Sequence, residues 1–79
     1  MVRLKNIKKN GNIIQCDIFP EDSNISGYIV VNIDTETVSE YELPQGYDWC
    51  ISHVNHAMRT LIEISNEKEV PKERLVMWV

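Results

Sequence analysis

Residues 48–68, DWCISHVNHAMRTLIEISNEK, decide the fold of this chain. Within them Cys50, Ile51, Val54, Ala57, Met58, Leu61, Ile62 and Ile64 recur at three- and four-residue spacing, which makes one apolar stripe on a helix. Four strand-like runs precede this helix and a fifth follows it. The order β-β-β-β-α-β predicts an α+β fold, a mostly antiparallel sheet of four to five strands with one amphipathic helix packed on one face. Asp48 reads as the N-cap, because its carboxylate can accept from the free first-turn amides and suits the positive end of the helix dipole.

Working outward, residues 2–8 alternate with Val2 and Leu4 on one side, and Asn10-Gly11 follows as a hairpin signal of the type I′ kind. Residues 13–19 form the second strand. It stops at Pro20, which cannot donate to a ladder, and a polar loop of residues 21–24 follows. Residues 27–33 are the most β-branched run, and residues 34–37 turn it back into a fourth strand over 38–43. Pro44-Gln45-Gly46 breaks that strand, the helix fades over 66–69, and after Pro71 residues 75–79 make the fifth strand. A helical crossover returns the fifth strand in the direction of the fourth, which allows it to pair antiparallel beside the first. With 79 residues the chain reads as one domain, 1–79.

Charge is distributed unevenly. Arg3, Lys5, Lys8 and Lys9 come first, and no further Lys or Arg occurs before Arg59. Between them lie Asp17, Glu21, Asp22, Asp34, Glu36, Glu40, Glu42 and Asp48, and the formal net charge is −4. An acidic middle argues against a nucleic-acid partner, which would require a basic stripe. It reads either as a set of cross-strand partners for the basic first strand or as an acidic surface for a basic partner. No apolar run reaches the roughly 20 residues of a membrane helix. Met1-Val2-Arg3-Leu4-Lys5 lacks the form of a secretory leader, so a cytoplasmic protein with Cys16 and Cys50 reduced is expected.

The strands carry apolar residues on both sides. Ile14, Cys16 and Ile18 oppose Ile13, Gln15, Asp17 and Phe19; Ile29, Val31 and Ile33 oppose Tyr28, Val30 and Asn32; Leu75, Met77 and Val79 oppose Val76 and Trp78. One helix can cover only one face. Near-continuous apolar runs are the mark of sheets covered twice, so a second cover is expected, foremost another copy in a homodimer and otherwise a different protein, with a merely half-wet face as the remaining alternative. Phe19, Tyr28, Val30 and Trp78 are the candidate interaction residues.

Several patterns invite chemistry and fall short of it. Cys50, His53 and His56 form C-x2-H-x2-H, but at about 100° per residue they span too wide an arc for one ion, and a structural zinc takes four ligands. The expectation is no metal and no cofactor, with a metal or ligand held by Cys50 and His53 as the alternative. Cys50 with His53 three residues on also suggests a nucleophile, yet the cysteine points into the stripe and no orienting third group is visible, so no catalysis is expected. Glu40 and Glu42 share a strand face and fit a solvated edge as well as a hard cation. Tyr41, Tyr47, Trp49 and Trp78 could form a stacking platform or simple packing. Gly11, Gly27 and Gly46 make no phosphate loop.

No motif identifies a family. The order of elements is similar to that of the small HicB-type antitoxin domains, a likeness of layout whose implication is a regulator of a basic partner. A double-stranded-RNA-binding domain would have a preceding helix and a basic helix start, where this chain has Asp48. The expected function is a small non-enzymatic interaction or regulatory module, a homodimer acting through the helix-free sheet face.

Overall fold

The computed structural model describes residues 1–78; Val79, which the sequence reading assigns to the last strand, lies outside them. Five strands form one antiparallel sheet, β1 Val2–Asn10, β2 Ile13–Pro20, β3 Gly27–Asn32, β4 Thr37–Glu42 and β5 Glu73–Val76, in the order β4-β3-β2-β1-β5. Helix α1, Ile51–Ser65, crosses one face. The last strand lies antiparallel to the first, with Val2 opposite Val76 and Lys5 opposite Glu73. Short connections explain the order: a meander from β1 to β4 leaves β1 as the free edge, and the helix carries the chain back to it.

The helix buries His53, Val54, Ala57, Leu61, Ile64 and Ser65. They pack on Val2, Leu4 and Ile7 of β1, Ile14, Cys16 and Ile18 of β2, and Ile29 and Val31 of β3. That is the alternate set of each strand, so the period-two reading of the core face holds. On β1 it holds only through a bulge. The register slips between Lys5 and Lys8, and Asn6 takes a positive φ of 56°. Asn tolerates this left-handed conformation, and the extra residue turns Ile7 inward, where strict alternation would have buried Asn6.

The structure differs from the sequence reading at three boundaries. The hairpin loop is Gly11-Asn12 and not Asn10-Gly11, since Asn10 pairs with Ile13 and the positive φ of 61° falls on Gly11. The helix starts after Cys50, not Asp48, and its N-cap makes no side-chain hydrogen bond. Residues 47–50 instead form a turn, with the Cys50 amide donating to the Tyr47 carbonyl at 2.9 Å, and Cys50 is fully buried. Burying the thiol here outweighs capping by the exposed Asp48. At the other end the helix stops at Ser65, where Lys9 Nζ donates to its carbonyl at 3.2 Å and satisfies an open acceptor with a cation. Finally, β5 runs from Glu73 to Val76, so Trp78 lies beyond the strand.

The acidic middle is only partly a partner for the basic first strand. Lys5 sits between Asp17 and Glu73, but the acidic strand β4 occupies the far edge.

Candidate functional site

At the sheet end where β1 begins and β2, β4 and β5 finish, aromatic rings pack in a chain. Tyr47 stacks near Trp49 with centroids 6.2 Å apart, Trp49 meets the edge of His53 at 5.9 Å, and His53 meets Trp78 edge-on at 4.8 Å. Trp78 then stacks flat on His56 at 4.0 Å and 10°. Positions 49, 53 and 56 stand three or four residues apart around the helix start, which is the spacing of side-chain neighbours. The turn of residues 44–50 holds the first two rings. Tyr47 donates its hydroxyl to Asp22 at 2.7 Å, and the Trp49 indole donates to the Gly46 carbonyl at 3.2 Å.

His53 anchors the cluster to the β2–β3 loop. Its Nε2 lies 2.9 Å from a Glu21 carboxylate oxygen, which also accepts from the amino group of Met1. These two contacts, the amino group first and His53 second, hold the Glu21 carboxyl below the usual carboxylate range. The other ring nitrogen of His53, Nδ1, is buried with no partner among the described residues. A dyad that moves protons to a substrate needs one nitrogen facing that substrate, whereas here Nε2 is taken up by Glu21 and Nδ1 is buried.

The thiols are equally withdrawn. Burial, with Asp17 adding to it, pushes Cys16 up to about 12. Burial and then the nearby Glu21 charge push Cys50 up as well, opposite to what a nucleophile or a metal ligand requires. No group of three His, Cys, Asp or Glu among the described residues is placed to hold a metal ion, so Cys50, His53 and His56 are not assembled into a site.

Beyond the ring chain, large apolar side chains stay exposed at this same end. Trp49 is 66% exposed, Ile51 51%, Ile25 65% and Met77 70%. Of the other exposed large apolar residues among the described ones, Met1 and Leu75 lie near this end too, whereas Tyr41 lies farther along the sheet on β4, level with Ile29 and Cys16. The opposite end carries the Gly11-Asn12 loop, Asp34, Thr35 and Glu36, and the helix terminus with Asn66 and Glu67. The molecule therefore has one apolar end and one polar end.

The helix-free face is less apolar than the sequence suggested. Phe19, Tyr28 and Val30 do lie on it, each half-buried. The cationic groups of Arg3 and Lys5 lie over Phe19, 5.3 and 5.5 Å from its centroid. Tyr28 donates to Glu40 at 2.8 Å, which raises its phenol above the ordinary value, and Asp17 accepts from Asn6 at 2.8 Å. Trp78 is not on this face at all but against the helix, a correction that follows from its sharing the alternation of Val76, which lies opposite buried Val2 on the helix side. Charged side chains thus replace the expected contiguous apolar patch.

Of the sequence candidates, Tyr47, Trp49 and Trp78 come together, whereas Tyr41 sits apart on β4. Ile25, Ile51, Met77 and the Glu21–His53 contact were not singled out by sequence. The adjacency Trp49-Cys50-Ile51, three apolar residues in a row where a helix stripe needs only one inward, was the available signal. With this geometry described, comparison adds no family: no family model, no curated protein and no solved structure matches the chain. No helix among the described residues is long and apolar enough to cross a membrane.

Proposed function

We propose that this chain is a protein-interaction module that acts without catalysis, and that its apolar end is the surface that binds. One observation carries the reading: among the described residues the exposed large apolar side chains, Tyr41 apart, gather at a single end instead of scattering, as isolated surface apolar residues normally do. Trp and Tyr at such a surface supply rigid contact area at low entropic cost, the character of binding hot spots.

The charges around this end indicate the partner's chemistry. Glu21, Asp22 and Asp48 surround the rings, with Glu42 at the neighbouring strand end. A protein segment with apolar side chains beside lysine or arginine matches both features, since cations are attracted by the carboxylates and by the faces of exposed indoles. This keeps the acidic-regulator reading of the sequence, which drew on the acidic middle segment as a whole, and centres it on the carboxylates around the helix start. The buried, unpartnered His53 Nδ1 and the two raised thiols support a role outside catalysis.

The test is a double variant, Trp49→Ser with Ile51→Ser. At 66% exposure Trp49 leaves roughly 130 Å² of an aromatic side chain of roughly 200 Å² in water, and burying that area is worth about 3 kcal/mol at ~25 cal/mol per Å². Losing it weakens a complex by about 100-fold. The variant should keep its thermal midpoint and lose the partner in affinity measurements. Undiminished binding by a folded variant would refute the assignment.

A further inference from the structure

The helix-free face carries an ordered separation of charge. Its rows run straight across the sheet. One row is Glu42, Tyr28, Asp17, Lys5 and Glu73, and the next is Glu40, Val30, Gln15 and Lys8. In both, an acid on β4 and a base on β1 are separated by β3 and β2; in the first row Lys5 also has Asp17 and Glu73 as its cross-strand neighbours. Among the described residues Lys5, Lys8, Glu40 and Glu42 form no ion pair within the chain. The acidic line of Glu40 and Glu42 on β4 and the basic line of Lys5 and Lys8 on β1 are held apart within one copy and match each other across a rotated one.

We propose that this face binds a second copy of the chain about a two-fold axis running along the strands between β2 and β3. Such a rotation keeps each residue at its level along the strand and exchanges β2 with β3 and β1 with β4. Glu42 then faces the partner's Lys5, and Glu40 faces the partner's Lys8. Tyr28 faces the partner's Asp17, and Val30 faces the partner's Gln15. Packed sheets stand about 10 Å apart, a gap that a lysine and a glutamate reaching from opposite sides can span. The position of the axis follows from the charges. An axis along β2 would set Asp17 on the partner's Asp17 and, twice over by symmetry, Glu42 on the partner's Glu73, six like charges in three contacts. Moving the axis half a strand toward β3 removes these clashes and leaves β5, with Glu73, outside the overlap. The driving force is charge complementarity and not the apolar patch that the sequence suggested, so the pairing is salt-sensitive. It leaves the apolar end free for a different partner.

Charge reversal tests the register. One variant carries Lys5→Glu and Lys8→Glu, the other Glu40→Lys and Glu42→Lys; all four side chains are exposed, and circular dichroism checks that both variants fold. Native mass spectrometry and light scattering should show wild type as a dimer at about 20 mM salt and a monomer at about 0.5 M. Each variant alone should be monomeric. Mixed one to one they should form a heterodimer, because both sets of facing charges are restored. A wild type that is monomeric at low salt overturns the proposal. So does a dimer that persists in each variant, or one that resists salt and is broken by Ile51→Glu, which would place the contact at the apolar end.

Discussion

Gly27→Ala is the substitution with the largest effect for the smallest change in this molecule. Gly27 starts β3 opposite Ile18, and the backbone at the end of β4 passes directly over it. A Cβ added there would lie 1.9 Å from the Glu42 carbonyl oxygen, 2.9 Å from its carbon and 3.1 Å from Leu43 Cα. All three are backbone atoms, so no side chain can swing aside. Restoring ordinary contact requires the end of β4 to move by about 1.5 Å, an overpacking strain of about 1–3 kcal/mol. The shift also loosens the Tyr28–Glu42 pair, at about 1 kcal/mol for a lost hydrogen bond, while the stiffer unfolded chain returns about 0.4–1 kcal/mol. The net loss is about 1–3.5 kcal/mol, with a middle value of ~2 kcal/mol. For a chain of 79 residues that is a large share of a total stability of about 4–12 kcal/mol, and it lowers the thermal midpoint by about 10–20 °C. Urea unfolding followed by circular dichroism measures it. Gly11→Ala is the control, because nothing lies within 4 Å of its added Cβ and only the positive φ of 61° is strained, at about 1 kcal/mol. A Gly27→Ala protein within about 0.5 kcal/mol of wild type, or one no less stable than Gly11→Ala, would refute this reasoning.

The remaining predictions concern chemistry and packing. Both thiols should be inert to an aromatic disulfide reagent at pH 8 and react fully in denaturant, since burial pushes Cys16 to about 12 and Cys50 upward; rapid labelling of either in the native state would contradict this. Glu21 is held below its ordinary value, so its contribution to stability is complete above the unfolded carboxyl value of about 4.3 and is lost as pH falls through the lower folded value. Glu21→Gln should flatten that part of the acid limb in pH-dependent unfolding, and an unchanged limb would show that the contacts to the Met1 amino group and to His53 contribute nothing. Leu61→Ala, in the middle of the buried stripe, should cost about 2–5 kcal/mol, against a negligible change for Ile51→Ser at the exposed helix start. Equal effects on chemical denaturation would mean that the stripe is wrongly assigned.

The fold was legible where periodicity was strong. The stripe of Val54, Ala57, Leu61 and Ile64 and the alternation of Ile14, Cys16 and Ile18 report directly which atoms leave water, and the crossover argument then places β5 beside β1. Boundaries were legible only where local chemistry acts alone. Asp48 is a good cap in isolation, but the helix begins where Cys50 is buried, and the bulge at Asn6 leaves no composition signal beyond an Asn. The candidate surface was harder to see because exposure is a tertiary property. Trp49, Ile51 and Met77 look like core residues in sequence, and only the position of the helix start and the early end of β5 leave them in water. The helix-free face erred in the opposite direction. Phe19 and Val30 read as exposed apolar residues until Arg3, Lys5 and the Tyr28–Glu40 contact are seen to crowd them.

The central claim is that binding occurs at the apolar end. Site-specific photo-crosslinking tests it most directly, with a benzophenone amino acid replacing Ile51 at that end in one protein and Glu36 at the opposite end in another. Exposed to extract of the cells that make the protein, the probe at position 51 should capture a discrete protein adduct that excess unlabelled wild type abolishes, and the probe at 36 should capture none. Equal capture at the two positions, or capture at 36 alone, would contradict the account.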